Sequence, residues 1–202
     1  PVIDKKKVIG FYDIRNFINE ENQSKLCPVL IMAGGYGKRL HPLTKKIPKP
    51  MLPVKGKPLL EVILKKISNQ GFKDIYISTH YKHKIITDYF KDGSKLKLDI
   101  KYIYEKLARG TAGSLKILKK KLDNNNNILL MNSDILTDAK LDQLLLFHEN
   151  NKADMTMVVK TINITNEYGV VEKEGINFHN IDEKPSYFSN INAGIYAINL
   201  SG

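Results

Sequence analysis

At 202 residues and 42% hydrophobic content, the chain has room for one globular domain plus a fragment and is not a disordered polymer. Its formal charge of +11, from 32 basic and 21 acidic residues, includes only three arginines, Arg15, Arg39 and Arg109. Scattered lysine lacks the planar fork used for bidentate phosphate and guanine contacts, so the charge argues against a nucleic-acid partner.

Residues 1 to 25, "PVIDKKKVIGFYDIRNFINEENQSK", read as a strand, a turn at residues 4–7, a second strand, the start of a helix and a polar linker, with a boundary expected near residue 25. From Pro28 onward, short β-branched or Leu-rich runs alternate with longer amphipathic ones, the pattern of βαβ units. Strands are predicted at residues 29–33, 74–79, 98–104 and 128–131, and helices at 58–70, 83–91, 111–121 and 140–150. In "PLLEVILKKISNQG", Leu59, Leu60, Ile63, Leu64 and Ile67 recur at helical spacing, with Pro58 suited to the first turn and Gly71 to the stop. The run "DNNNN" at 123–127 is a turn signal. After Ala153 the pattern becomes strand-rich: "DMTMVVKT", "YGVVEKEG", "GINFHNID", "NAGIYAIN".

The fold class is therefore α/β: a Rossmann-like, mostly parallel sheet flanked by helices, with a mixed or antiparallel strand-rich extension in the C-terminal part. Ligands of open α/β sheets sit beyond the carboxyl ends of the strands, which gathers residues 34–39, 105–111 and 132–134 near one crevice. No apolar run approaches the roughly 20 residues of a bilayer span. Cys27 is the only cysteine, so no intrachain disulfide can form, which fits a reducing cytoplasm.

The stretch "MAGGYGKRLHPLTKKIPKPMLPV" follows the first apolar run. Successive glycines let backbone N–H groups converge on an anion, because no β-carbon blocks the approach. The loop is neither a P-loop, which has four residues between its two glycines before Lys-Ser/Thr, nor a dinucleotide fingerprint, which needs a third glycine where Leu40 stands. What remains is "GGYGKRLHPLT" and then "IPKPMLPV", which set Arg39 and Lys49 on proline-braced backbone near a strand end.

These two pieces resemble the sugar-phosphate nucleotidyltransferases, the pyrophosphorylases that make nucleotide sugars, whose hallmark is GGxGxRxxPLT followed by PKPMLP. The resemblance spans about residues 28 to 199 and continues in order through "EKLARGTAGSL", "LLMNSDIL", "EYGVVE", "DEKP" and "NAGIYAIN". It implies attack by a sugar-1-phosphate oxygen on the α-phosphorus of a nucleoside triphosphate, with release of pyrophosphate. Catalysis of that kind is mainly positioning and electrostatic stabilisation, so cations and Mg²⁺ are expected.

By resemblance, Arg39 and Lys49 are the catalytic cations, and the nucleotide is held by Ala33, Gly34, Gly35, Gly37, Lys38, Glu105, Gly110 and Thr111. Asp134 would hold the metal, its other reading being a helix N-cap. Gly169, Glu183, Lys184 and Asn192 would bind the sugar phosphate. Ser133 stands where the family more often has glycine. A carboxylate can accept both guanine donors, N1–H and N2–H₂, so Glu105 makes GTP the first choice of triphosphate, with the other bases left open. The expected partners are the triphosphate and the sugar-1-phosphate, with no nucleic acid and no membrane, and a homo-oligomer is left open.

"PVIDKKKVIGFYDIRNFI" resembles the closing strand-strand-helix of a CBS domain, although Asp13 and Asn16 stand where that family tends to have Thr and Asp. The expected organisation is thus a CBS-like remnant plus linker at 1–25 and a nucleotidyltransferase domain at 26–202, incomplete at its C-terminus, with a second metal-binding aspartate further downstream. The alternative reading is a catalytically weak module that senses nucleotide or sugar phosphate under CBS control.

Overall fold

The sheet is built outward from four parallel strands, three of them buried on both faces and the fourth at the sheet's edge with part of its residues exposed. In the computed structural model the described residues are 2–4, 7–10, 27–105, 110–122 and 127–201. Strand β1 (Val2–Asp4) and β2 (Lys7–Gly10) precede β3 (Val29–Met32), a small hairpin of β4 (Pro53–Val54) and β5 (Lys57–Pro58), and helix α1 (Leu59–Asn69). Then come β6 (Asp74–Thr79), α2 (His83–Phe90), β7 (Asp99–Tyr104), α3 (Gly110–Lys119), β8 (Asn127–Asn132) and α4 (Leu141–Asn150). The chain finishes with β9 (Met155–Thr165), β10 (Val170–Glu174), β11 (Asn177–Asp182) and β12 (Ser186–Asn199). Each predicted strand and helix of residues 28–150 is present within two residues of its expected bounds. The turn predicted at 123–127 falls largely outside the described residues, as do the helix and linker predicted after β2.

One sheet has the order β2-β1-β9-β12-β8-β3-β6-β7. Strands β8, β3, β6 and β7 run parallel, whereas β12 is antiparallel to β8 and β9 is antiparallel to β12. The class is the α/β one that the alternating pattern predicts, with an antiparallel extension. Side-chain alternation sorts the core: Val29, Ile31, Leu129 and Met131 face α1, α2 and α4, while Leu30, Ile128 and Leu130 face α3. Apolar residues on both faces explain why "VLIM" and "ILLM" are continuous runs rather than alternating ones.

Helix α1 forms because Leu60, Ile63, Leu64 and Ile67 fall on one stripe, and all four are buried against the sheet. Burying each contributes about 1.5–3 kcal/mol, far more than helix propensity could. Gly71, at φ 89°, ends the helix as its position in the sequence requires. Glu61, in the first turn, accepts from the Lys65 ammonium (2.6 Å) and the Tyr89 hydroxyl (2.6 Å), which ties α1 to α2. The Lys65 hydrogen bond first, and then that of Tyr89, hold its carboxyl below the ordinary carboxylate value. Gln70 caps a different helix: its Oε1 accepts from the Leu141 amide at the start of α4 (2.8 Å).

Strands β9 and β12 outrun their neighbours. Residues 195–199 of β12 pair with β8, but Ser186 to Asn192 pair with β9 alone, so a two-stranded ribbon projects past the carboxyl end of β8. The separate β10–β11 hairpin lies between the two arms of the ribbon in sequence. "NAGIY" lies at the base of this ribbon, beside the end of β8, and "DEKP" immediately precedes its far end at Ser186.

Behind the sheet, His148 of α4 is buried, its Nδ1 2.9 Å from Thr156 Oγ1 and its Nε2 without a hydrogen-bond partner among the described residues. Desolvation pushes its pKa below the ordinary 6.5, with Asp154 opposing weakly. The unfolded chain therefore takes up a proton near pH 6.5 while the folded chain resists it, so stability falls as pH drops below about 6.5. The urea midpoint is expected to decline more steeply between pH 7 and pH 5.5 in the wild type than in His148→Gln. Equal slopes in the two proteins would contradict a buried, neutral histidine.

Candidate active site

The site begins where β3 ends. The Ala33 amide donates to the Ser78 carbonyl (2.8 Å), which carries the strand pairing one residue further before Gly34 and Gly35 release the chain. Gly37 adopts φ 63°, and a β-carbon there would stand 3.0 Å from Thr44 Cγ2, so both conformation and space call for glycine. The Thr44 hydroxyl donates to the Gly37 carbonyl (2.8 Å), folding the loop back on itself. A short 3-10 turn, Lys38–Leu40, then presents Lys38 and Arg39, both exposed.

Lys49 opens another 3-10 turn, Lys49–Met51, anchored by the buried side chains of Pro50 and Met51. From the facing side, the Ser133 amide donates to the Met32 carbonyl (3.2 Å), locking the ends of β3 and β8 together just before Asp134. The Asp134 carboxylate forms an ion pair with the Lys49 ammonium, each side chain about a third exposed. A pair with that exposure adds at most about 1 kcal/mol to stability, so its position is more informative than its strength.

Between these pieces lies a cavity of about 430 Å³ whose walls include Gly35, Gly37, Lys38, Arg39, Lys49 and Asp134. Residues that lie far apart in the sequence are thus gathered on one cavity, with three cations and one carboxylate. Among the described residues no group of three or more His, Cys, Asp or Glu side chains is placed to hold a metal ion.

The remaining predicted residues do not line this cavity. Gly34 backs onto Glu105: a β-carbon on Gly34 would lie 3.8 Å from Glu105 Oε1. Glu105 ends β7 and is buried, its Oε1 accepting from the Ser114 hydroxyl (2.5 Å) and the Ser78 hydroxyl. Gly110 and Thr111 form the first turn of α3. In the extension, Gly169 and Glu183 meet, since a β-carbon on Gly169 would stand 3.1 Å from Glu183 Oε1. Lys184 follows at φ 47°, a left-handed conformation that is unfavourable for lysine and is held immediately before Pro185. Asn192 accepts from the Gly194 amide (2.7 Å) and donates to the Tyr196 hydroxyl (2.5 Å).

A family model described as nucleotidyl transferase matches residues 28–201. The chain belongs to the nucleotidyl transferase family. Among curated relatives, this nucleotidyl transferase is 37% identical over 171 residues to a mannose-1-phosphate guanylyltransferase of Mycobacterium tuberculosis, an alignment covering 83% of this chain and 47% of that protein. It is 35% identical over 179 residues to a D-glycero-alpha-D-manno-heptose 1-phosphate guanylyltransferase of Campylobacter jejuni, covering 84% of this chain and 74% of that one. The chain spans about half the length of the mannose-1-phosphate guanylyltransferases it matches. In fold it is similar to HddC from Yersinia pseudotuberculosis, with a TM-score of 0.66 at 23% identity, covering 87% of this chain and 79% of that one.

Tyr36 and Asn132, which fall in the segments expected near the crevice but were given no role, line the cavity. Three residues around the site escaped the sequence reading: Gly194, buried against Asn132 at φ 71°, and Ser78 and Ser114, which hold Glu105. Of these only Gly194 carried a signal, as the glycine inside the strand pattern "NAGIY". A β-carbon at Gly194 would stand 2.6 Å from Asn132 Nδ2. Gly194→Ala is therefore expected to lower stability by roughly 1–3 kcal/mol in urea denaturation and to displace Asn132 from the cavity wall. An unchanged midpoint would contradict this close approach.

Proposed function

We propose that the chain transfers a nucleotidyl group from a nucleoside triphosphate, GTP first, to a sugar-1-phosphate, forming a nucleotide sugar. The observation that carries this reading is the gathering of Gly35, Gly37, Arg39, Lys49 and Asp134 on one cavity beyond the ends of β3 and β8. A sugar-phosphate oxygen bonds to the α-phosphorus while the bond from that phosphorus to the bridging oxygen breaks, and pyrophosphate leaves with the bonding electrons. The reaction draws two anions together and builds charge on the leaving group, so this chain's contribution is placement and neutralisation.

At Gly35 nothing lies within 4 Å of where a β-carbon would stand, so phosphate oxygens can approach the backbone there. Arg39, with its planar fork, suits the β- and γ-phosphates and then the departing pyrophosphate. Lys49, paired with Asp134 at the cavity wall, would neutralise phosphate oxygens at the reacting centre. Asp134 fits Mg²⁺: one carboxylate on a phosphate-sized cavity is the partial shell expected of an ion that keeps waters and takes the rest of its ligands from its substrate. When bound, the ion would neutralise phosphate charge and polarise the phosphorus–oxygen bonds.

GTP is favoured because relatives named as guanylyltransferases align over most of the chain and because Glu105 ends β7 beside Gly34. The sugar phosphate is assigned to Glu183, Lys184, Gly169 and Asn192 on the extension. The strained Lys184 backbone and the Gly169–Glu183 approach favour a shaped site there over a plain hairpin. The CBS-like reading of residues 1–25 rests on sequence resemblance, and the family match begins after it. A reducing compartment is consistent with the single Cys27, whose thiol is pushed up to about 12 by burial and is therefore unreactive.

Asp134→Ala and Lys49→Ala are expected to lower pyrophosphate release by about 10²-fold or more, while GTP affinity falls much less. Coupled detection of pyrophosphate with mannose-1-phosphate or a heptose-1-phosphate as acceptor checks this. Turnover unchanged in both variants would refute the assignment, and nucleotide binding with no turnover under any acceptor would favour the sensing module instead.

A further inference from the structure

The residues that follow β6, Thr79 to Lys82, belong to none of the motifs above, yet they reach both halves of the nucleotide site. His80 Nδ1 lies 2.7 Å from the Glu105 carbonyl oxygen. A carbonyl only accepts, so Nδ1 carries the ring hydrogen. In the neutral imidazole Nε2 then holds the lone pair, and it lies 2.8 Å from the Tyr36 hydroxyl, which donates to it. The Tyr36 ring also meets the His80 ring edge-on, at 5.4 Å between centroids.

Neighbouring residues reinforce this grip. The Glu105 amide donates to the Thr79 carbonyl (3.0 Å). The Tyr81 hydroxyl donates to the Thr44 and Lys45 carbonyls (3.3 Å each), and the Lys82 ammonium donates to Lys45 (2.5 Å). Thr44 in turn holds Gly37. Four consecutive residues therefore fix the glycine loop at Tyr36 and at residues 44 and 45, and the end of β7 at Glu105.

We propose that His80 is a positioning residue that joins the Gly34–Gly37 loop to the Glu105 segment, so that triphosphate cradle and base-reading strand end are presented as one preformed unit. The proposal rests on the nucleotide reading given above. Its physical reason is entropic. Glycine loses more conformational freedom on ordering than any other residue, and a loop fixed in advance does not have to be ordered by the ligand. Tyr36, in the middle of the glycine run and partly exposed, is the loop's one side chain long enough to be held from outside. His80 can serve both partners because its two ring nitrogens play opposite roles, as donor and as acceptor.

The test uses the 202-residue chain with ¹⁵N-labelled histidine and four further proteins: Tyr36→Phe, His80→Ala, their double variant and His80→Asn. The nitrogen spectrum should show His80 protonated at Nδ1 and bare at Nε2 before nucleotide is added. Calorimetry with GTP and Mg²⁺ should show Tyr36→Phe and His80→Ala each weakened about three- to tenfold. The double variant should be no weaker than the worse single one, since both remove one shared interaction. His80→Asn, whose amide can donate to the Glu105 carbonyl, should recover part of the loss. If His80→Ala does not fold, Tyr36→Phe and the tautomer decide alone. Full affinity in Tyr36→Phe, or a His80 carrying its hydrogen on Nε2, would overturn the proposal while leaving the nucleotide reading intact. Failure of the wild type to bind GTP, UTP, dTTP, CTP or ATP would overturn both.

Discussion

The parallel pairing of β3 with β8 is the constraint on which the rest depends. Val29 pairs with Leu129 and Met32 with Asn132, and the residues between are buried on both faces. Two strands running side by side in the same direction must stop at the same level. Their next backbone groups then have no strand partner and must find other ones. The chain meets that demand with the hydrogen bond from Ser133 to Met32 on one side and from Ala33 to Ser78 on the other. Beyond those bonds the two chains diverge, Gly34 and Gly35 one way and Asp134 the other, and the space between them is the cavity. The chemistry sits there because a buried parallel core leaves an opening only at its end.

Placing charge at that opening is costly unless the backbone around it is already fixed. Pro42, Pro48 and Pro50 and three short 3-10 turns, Lys38–Leu40, Leu43–Lys45 and Lys49–Met51, hold Lys49 and the loop in place, and the residues after β6 hold the loop from behind. The Lys49–Asp134 pair keeps a cation and an anion at the wall; in the function proposed above, each would exchange its partner for phosphate or metal. On the far side, β12 turns the end of β8 into a shared boundary, because buried Gly194 lets Asn132 face the cavity. The projecting β9–β12 ribbon continues past that boundary, with Glu183 and Lys184 just before its far end at Ser186. Core, cradle and ribbon are consequences of one pairing arrangement.

Much of this was legible in the sequence, for reasons that can be located. "VLIM" and "ILLM" announce doubly buried strands, and glycine and proline between them announce a loop that no core residue could replace. Leu60, Ile63, Leu64 and Ile67 define α1 by spacing alone, whereas Arg39, Lys49 and Asp134 were named through the family resemblance, and the structure places all three on one cavity. The parts that were not legible depend on contacts across the sheet. That Gln70 caps α4, that Ser78 and Ser114 both reach Glu105, and that His80 touches Tyr36 follow from strand order, and strand order is not written in any local pattern. The length of β12 was likewise hidden, since "SYFSNI" lacks alternation and is a strand only because β9 lies beside it.

The most direct measurement is a map of backbone amide shifts in the ¹⁵N-labelled chain as GTP and Mg²⁺ are added. If the crevice at the ends of β3 and β8 is the triphosphate site, the largest changes fall on residues 34–39, 49 and 133–134, with a second group at Glu105. Nucleotide-induced shifts confined to other surfaces, with the glycine loop and Asp134 unmoved, would contradict the account at its centre.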